Sequence, residues 1–323
     1  MADAILHIEN LSKVFDVRDG SFFAKKQKLY ALRNVTLDLY QGETLGVIGE
    51  SGCGKSTLGK CIVRLHKPTS GSVVYQGFDL ATATLKQVKP YRKDIQMIFQ
   101  DPFSSLDPRM TAIDTIEEAF LIHGIEADQK KREEMALNIL REVGLDAQYA
   151  HRFPHEFSGG QRQRINIGRA LALNPKIIVC DEPVSALDVA FQAQVINLLK
   201  DLQRKHGLTY LFISHDLSII RHMSDRIAIM YLGQVVELCK ADGIYVNPLH
   251  PYTKALLSAI PPESPLEKKE KITLSGDVPS PIDLRMECPF VSRCPNAFER
   301  CRKEVPVLKD AEEGHRVACF LFD

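Results

Sequence analysis

The stretch GESGCGKST, residues 49–57, has the residue types and spacing that bind a chain of phosphates. It fits G-x-x-x-x-G-K-[ST] and lies between an apolar run, TLGVIG, and a helical pattern, LGKCIVRL. Glycines let the backbone fold around an anion with its N–H groups inward, and the following helix adds its positive end. We expect Lys55 to reach the β- and γ-phosphates and Ser56 to hold Mg²⁺. The loop residues are Gly49, Glu50, Ser51, Gly52, Cys53, Gly54, Lys55, Ser56 and Thr57.

A second segment, KIIVCDEP, places two adjacent acids at the end of an apolar run. Asp181 suits the Mg²⁺ shell, and Glu182 can orient or activate a water molecule. A phosphate-binding loop alone would also suit a kinase, a GTPase or a motor protein. The paired acids narrow this choice, because they supply one carboxylate for Mg²⁺ and a second for a water molecule.

The segment FSGGQRQR, residues 157–164, opens a helix with a serine and two glycines, a second arrangement suited to an anion. The phosphate-binding loop already holds its own nucleotide. We therefore expect this second segment to contact a nucleotide held by another chain. Its candidate contact residues are Ser158, Gly159, Gly160 and Gln161.

Strand-like and helix-like patterns alternate along the chain and position these segments. Short apolar or alternating runs predict strands at residues 35–40, 44–49, 176–181, 208–214 and 226–231. Between residues 111 and 143 the apolar residues recur at helical spacing, which predicts a helical insertion. The pattern indicates an α/β fold.

Composition excludes several classes of protein. The chain has 323 residues, 41 basic and 41 acidic side chains, and 45% hydrophobic residues, as expected of a globular protein. No window approaches the roughly 20 apolar residues that cross a bilayer, and the first residues do not resemble a signal peptide. Zero net charge gives no general attraction to nucleic acid. We expect a cytoplasmic protein whose eight cysteines do not form disulfides.

GESGCGKST, FSGGQ, IIVCDEP, SALD and ISHD occur in the order found in ATP-binding cassette (ABC) ATPases, which the chain resembles. The resemblance implies that Gln100 contacts Mg²⁺ or water, Asp188 lies at the seam of a cassette dimer, and His215 lies near the γ-phosphate of ATP. The implied catalytic residues are Glu182, His215 and Gln100, and the implied Mg²⁺ ligands are Ser56, Gln100 and Asp181. The implied fold is an α/β P-loop NTPase core with an antiparallel β subdomain, a helical insertion and a small C-terminal cysteine-containing appendage.

Longer stretches, among them FQDPFSSLDPRM and NPLHPYTKALLSAIP, resemble the F-type ATPase subunit of bacterial dipeptide and oligopeptide importers. This implies a nucleotide-binding domain at 1–240, with a helical subdomain at about 101–160, and an extension at 241–323. The implied partners are a second, D-type cassette, two transmembrane permease subunits and, indirectly, a solute-binding protein; nucleic acid is not expected. The implied location is peripheral, on the cytoplasmic face of the bacterial cell membrane.

Two residues compete for the aromatic position that stacks on adenine in such cassettes. Phe15 lies in LSKVF, which resembles the usual family pattern, and Tyr30 follows an insertion at 16–28. Phe15 is favoured, because Tyr30 also suits a core position.

Four cysteines near the C-terminus are spaced C-x5-C-x6-C-x17-C in a loop-rich appendage that is too small to bury much apolar surface unaided. Cys288, Cys294, Cys301 and Cys319 could hold an iron–sulfur cluster or zinc, or remain thiols. The resemblance favours a [4Fe–4S] cluster, since peptide-importer ATPases resemble cluster carriers in this region. His315 is interpreted as a surface histidine. The other four cysteines are interpreted as small apolar residues: Cys53, Cys61, Cys180 and Cys239.

Other functions fit part of the sequence. A soluble cassette ATPase could act on ribosomes or nucleic acid, but such proteins resemble tandem cassettes or carry long coiled-coil insertions. An iron–sulfur regulator that only binds ATP would not need Glu182. The sequence does not identify the transported solute, which could also be a nickel complex, because an ATPase subunit does not contact the solute.

Overall fold

The computed structural model describes residues 4–18, 26–260, 272–282 and 284–323. The chain forms two compact units, each built from separate stretches. Unit 1 contains residues 40–43 and 83–213. Unit 2 contains residues 4–39, 44–82 and 214–323.

Strands and helices alternate through both units. The strands are β1 (Ala4–Val17), β2 (Gln27–Tyr40), β3 (Thr44–Ile48), β4 (Ser70–Tyr75), β5 (Phe78–Asp79), β6 (Ile95–Ile98), β7 (Ile177–Asp181), β8 (Thr209–Ile213), β9 (Arg226–Tyr231), β10 (Gln234–Lys240), β11 (Lys309–Glu312) and β12 (His315–Val317). The α-helices are α1 (Lys55–Ile62), α2 (Leu85–Val88), α3 (Ala112–His123), α4 (Gln129–Glu142), α5 (Gly159–Leu171), α6 (Val189–His206), α7 (Leu217–Met223), α8 (Ala241–Val246) and α9 (Pro251–Ser258). Short 3₁₀ helices lie at Lys89–Lys93, Ala147–Tyr149, Pro154–Glu156, Glu299–Arg302 and Phe320–Phe322.

Three parallel strands form the centre of unit 1, in the order β8-β7-β6. Every residue of β7 and β8 is buried. Strands covered on both faces have continuous apolar sequences, as IIVCD and TYLFI do. Their carboxyl ends meet at one edge, which is where Asp181 and the residues after it lie.

Helices α3, α4 and α5 pack together in unit 1. A capping box at Thr111 and Asp114 starts α3, and Gly124, with φ of 61°, ends it. Gly168 of α5 allows close packing: a Cβ atom there would lie 3.2 Å from Ile139 Cγ2 and 3.3 Å from Ile116 Cδ1. Much of α4 faces solvent, as its charged sequence predicts.

Unit 2 contains strands of two sheets. One sheet has the order β2-β1-β4-β5, with antiparallel β1–β4 and β4–β5 pairs. In the other, β3 pairs in parallel with β9, and β10, β12 and β11 follow in antiparallel pairs. The last two strands come from the C-terminal part of the chain, which therefore continues a sheet that β3, β9 and β10 begin. No helix in the described parts of the chain is long and apolar enough to cross a membrane.

A buried carboxylate joins β10 to the C-terminal extension. Glu237 is fully buried, and its oxygens accept hydrogen bonds from the backbone N–H groups of Leu249 (2.7 Å) and His250 (2.9 Å). Nε2 of His315 lies 2.7 Å from Glu237 Oε1 and is also buried. The interpretation of His315 as a surface histidine is wrong, because β12 places it beside this carboxylate. A carboxylate with three close polar partners can remain buried at modest cost.

Replacing Glu237 with glutamine should destabilise unit 2. One carboxylate oxygen becomes an NH₂ group that faces an N–H donor, and we expect a loss of about 2 kcal/mol or more in the free energy of unfolding. Urea denaturation followed by circular dichroism measures the change. Glu313→Gln is the control, because Glu313 is exposed in the turn between β11 and β12. Equal stability of the two variants would show that the Glu237 network does not secure the extension.

Candidate nucleotide site and cysteine cluster

The phosphate-binding loop lies between two backbone carbonyl groups. A Cβ atom on Gly49 would lie 2.2 Å from the Met230 carbonyl oxygen, and one on Gly54 would lie 2.3 Å from that of Ala31. Gly54 also has φ of 106°, a conformation that favours glycine. The glycines are therefore required by packing as well as by the approach of a phosphate.

Lys55 begins α1 and is buried, with only 5% of its surface exposed. Its Nζ donates to the Gly49 carbonyl (2.7 Å) and to the Glu50 carbonyl (3.1 Å). An ammonium group has three N–H donors. Its Nζ also lies 3.9 Å from Cys53 Sγ, the longest of its three contacts, which a phosphate oxygen can replace. Ser56 and Thr57 follow Lys55 in the first turn of α1.

Two residues from late in the chain hold Glu50, and sequence reasoning missed both. The Glu50 N–H donates to the hydroxyl of Tyr252 at 3.0 Å. The Glu50 carboxylate receives Nη1 of Arg293 at 2.9 Å and Nη2 at 3.2 Å. Arg293 lies between Cys288 and Cys294, so the cysteine segment contacts the phosphate-binding loop directly. In sequence the two stretches are far apart, and no local pattern indicates the contact.

His215 is exposed and lies just before the N-cap of α7. The preceding residue, Ser214, donates its N–H to the Val47 carbonyl of β3 at 3.2 Å. Asp216 caps α7 by accepting from the N–H groups of Ser218 and Ile219. A hydrogen bond to β3 on one side and a helix cap on the other fix the backbone that carries the imidazole.

Both candidate adenine-stacking aromatics are partly exposed. The Phe15 ring lies under Lys13 Nζ at 4.6 Å and meets His66 edge-on at 5.4 Å. Tyr30 belongs to β2, and its N–H donates to the Pro281 carbonyl at 2.9 Å. The preference for Phe15 remains a prediction.

The acidic pair lies at the end of β7 in unit 1. Asp181 is buried, and the chain turns sharply at Glu182, whose φ is 47°. This left-handed conformation is unusual for a residue with a side chain and is often found at functional sites. The Glu182 N–H donates to the Ile213 carbonyl at 2.9 Å, which fixes the turn against β8.

Gln100 contacts the second acid directly. Its Nε2 donates to Glu182 Oε2 at 3.0 Å, although the residues are 82 positions apart. The amide carbonyl, which is the part able to ligate a cation, does not take part in this bond. Unit 1 thus brings together three of the predicted catalytic and Mg²⁺-binding residues: Gln100, Asp181 and Glu182.

The FSGGQ segment forms the expected helix start. Ser158 caps α5 in a capping box with Gln161, and Ser158 and Gly159 are exposed. At Gly160 a Cβ atom would lie 2.9 Å from Phe191 Cδ1, so the helix start packs closely on α6. Asp188 caps α6 and is exposed as well. Unit 1 therefore presents two helix N-termini on its surface.

The four scattered cysteines are buried: Cys53, Cys61, Cys180 and Cys239. Burial raises the pKa of the Cys61 thiol to about 11 and that of Cys239 to about 12. Burial also raises the pKa of Cys53, beside Lys55 in the loop. Protonated, shielded thiols behave as small apolar side chains, as predicted.

The four C-terminal cysteines line one small cavity together with Phe290, Val291 and Phe320. Cys288 and Cys301 are buried, while Cys294 and Cys319 are partly exposed. Burial, and then the neighbouring thiols, raise the pKa of Cys288 to about 12. Within the described residues, no group of three or more His, Cys, Asp or Glu side chains is arranged to hold a metal ion. The four thiols thus border one cavity, and their proposed ligand is considered below.

Two family models match the chain. The model for the ABC transporter covers residues 32–185. The model for the oligopeptide/dipeptide transporter C-terminal region covers residues 236–301, which include Cys288, Cys294 and Cys301.

Curated relatives match over the whole length. The chain is 49% identical to the oligopeptide transport ATP-binding protein AppF of Bacillus subtilis over 99% of this chain and 98% of the relative. It is also 49% identical to the oligopeptide transport ATP-binding protein OppF of Salmonella typhimurium, over 99% and 96% of the two chains.

The dimeric ABC transporter cassette MJ0796 has a similar solved structure. It has a TM-score of 0.65 and 32% identity, over 73% of this chain and 98% of the cassette. The predicted ABC ATPase fold is therefore confirmed. With the full-length relatives, the similarity shows that the chain belongs to the ABC transporter ATPases, and among them to the family of oligopeptide transport ATP-binding proteins.

Proposed function

We propose that this chain is the ATP-hydrolysing subunit that energises the import of dipeptides or oligopeptides by an ABC transporter. The observation that carries the hydrolytic role is the contact of Gln100 with Glu182, next to Asp181 at the end of β7. The full-length similarity to oligopeptide transport ATP-binding proteins supports the peptide role. It favours transport over the alternative of a soluble ATPase acting on ribosomes or nucleic acid.

The predicted site residues have separate proposed roles in binding the phosphates, holding Mg²⁺ and hydrolysing ATP. The loop N–H groups from Gly49 to Thr57 and the Lys55 ammonium would hold the phosphates. Bound Mg²⁺ would supply positive charge at the β- and γ-phosphate oxygens, with Ser56, Gln100 and Asp181 as its ligands. Glu182 would orient the attacking water and accept its proton, and His215 would hydrogen-bond the γ-phosphate.

The exposed start of α5 supports a site shared between two cassettes. We propose that Ser158, Gly159, Gly160 and Gln161 contact the nucleotide of a second, D-type cassette, with Asp188 at the seam. ATP would then favour the closed pair of cassettes, and removal of the γ-phosphate would favour the open pair. Two permease subunits would transmit this cycle across the membrane, with the ATPases peripheral on its cytoplasmic face. The solute-binding protein acts indirectly.

The chemistry of the four C-terminal cysteines supports a proposed iron–sulfur cluster. Four thiols line one cavity with apolar neighbours, a donor set typical of [4Fe–4S] clusters. We propose that Cys288, Cys294, Cys301 and Cys319 hold such a cluster in an extension at 241–323. A bound cluster would cross-link a segment rich in turns and would supply a group that can be oxidised and reduced.

Replacing Glu182 with glutamine tests hydrolysis. Without a carboxylate to accept the proton, the ATPase rate should fall by about 100-fold or more, while ATP binding persists. Phosphate release and equilibrium ATP binding measure the two effects. Glu134→Gln, at an exposed position on α4, is the control for loss of one negative charge. A rate within tenfold of wild type would remove Glu182 from the proposed mechanism.

Affinity purification tests the transport role. A tagged chain expressed with its neighbouring permease and ATPase genes should co-purify with two permease subunits and a second cassette. Its ATPase rate should then rise when a peptide-loaded solute-binding protein is added. A tagged chain that instead sediments with ribosomes, without permease subunits, would favour the soluble alternative.

Anaerobic purification tests the cluster. We expect about four iron and four sulfide per chain and a broad visible absorbance that bleaches on chelation. Cys294→Ser should lose most of this iron. Cys239→Ser should retain it, since Cys239 is buried away from the cavity and its serine can keep the hydrogen bond to the Lys240 carbonyl. Stoichiometric zinc without iron would refute the cluster.

A further inference from the structure

The link between the cysteine segment and the phosphate-binding loop is a paired ionic hydrogen bond. Arg293 directs both terminal nitrogens to the two oxygens of Glu50, at 2.9 and 3.2 Å. Such a fork fixes the orientation of both side chains, which a single contact would not do. Glu50 is the second residue of the loop, so the orientation of its carboxylate is also part of the geometry of the loop.

Aromatic packing holds Arg293 in place. Its side chain is only 9% exposed, and Nη1 lies 3.4 Å from the Tyr231 hydroxyl. Phe290, in the same segment, packs against Tyr231 at 5.2 Å and Tyr252 at 5.5 Å. Tyr252 in turn accepts from the Glu50 N–H. Tyr252 therefore holds the backbone of Glu50, and Arg293 holds its side chain. Both contacts depend on one aromatic cluster, which includes Phe290 of the cysteine segment.

The charge of Glu50 makes this contact important for nucleotide binding. A carboxylate in a loop that receives phosphates repels them, and the repulsion is stronger where water is excluded. An arginine guanidinium stays charged in proteins, and this one donates hydrogen bonds to Glu50 and to the Tyr231 hydroxyl. The charged guanidinium thus balances the negative charge of the Glu50 carboxylate within the loop.

We propose that Arg293 is a positioning residue for ATP: by pairing with Glu50 it neutralises and orients the phosphate-binding loop, so that the cysteine segment sets nucleotide affinity. This inference rests on the proposed role of the loop in ATP binding. Because Arg293 holds a residue of the phosphate-binding loop, it should act on affinity more than on the hydrolytic step.

Substitution of Arg293 in the full-length chain tests the inference. Fluorescence titration with a labelled ATP should show about tenfold weaker binding by Arg293→Gln, with kcat at saturating ATP within about twofold of wild type. The unpaired Glu50 carboxylate causes the loss. Adding Glu50→Gln to Arg293→Gln should therefore recover most of the lost affinity, a coupling that general destabilisation would not produce.

Arg300→Gln is the matched control. Arg300 precedes Cys301 as Arg293 precedes Cys294, but it pairs with Glu304 and Asp323 inside the C-terminal segment. Its variant should bind ATP like wild type. If Arg293→Gln does not fold, Arg293→Lys is compared with Arg300→Lys; a lysine keeps the charge but not the fork, and about threefold weaker binding is expected.

The outcomes separate this inference from the proposed function. If the wild-type chain binds ATP no better than Lys55→Ala, the role of the loop is wrong. If the wild type binds ATP but the Arg293 and Arg300 variants have equal affinities, Arg293 does not position the loop. Weak binding by Arg293→Gln that the second substitution fails to improve would overturn the charge argument.

Discussion

The structure depends on how closely the phosphate-binding loop packs against its surroundings. Gly49 and Gly54 each face a backbone carbonyl at a distance that leaves no room for a side chain. Backbone carbonyls of regular strands move little, so the loop must adapt to them. The Gly233 N–H donates to the Cys53 carbonyl at 2.9 Å, which adds a third point of attachment to backbone beyond the loop. The backbone N–H groups of the loop are thus held in fixed positions before a phosphate binds.

Sequence reasoning found the elements that are specified locally. The runs at 44–49, 176–181 and 208–214 become β3, β7 and β8, because continuous apolar residues suit strands that are covered on both faces. The serine that opens FSGGQ is the N-cap of α5, a role that its side chain and the following glutamine define within four residues. Such features depend on neighbours in sequence, so periodicity and capping rules reach them.

Features that depend on distant partners were not accessible in the same way. Arg293 and Glu50 are 243 positions apart, and nothing in either local sequence indicates that they pair. His315 resembled a surface residue until β12 brought it to Glu237, 78 positions away. The left-handed backbone of Glu182 is another example, since its N–H bonds to the end of β8, a strand from later in the chain. In each case tertiary packing decides a conformation that local propensity leaves open.

The placement of β11 and β12 has a consequence for how the molecule avoids self-association. Strand β10 carries Val235, Val236 and Leu238, all buried, and β12 pairs with it along its outer side. The outermost strand, β11, is instead short and charged, with the sequence KDAE. Short charged edges discourage pairing with strands of other molecules. Besides carrying four clustered cysteines, the C-terminal extension thus covers the apolar strand β10 and leaves a charged strand at the edge of the sheet. This edge should limit aggregation at the high protein concentration of a cell.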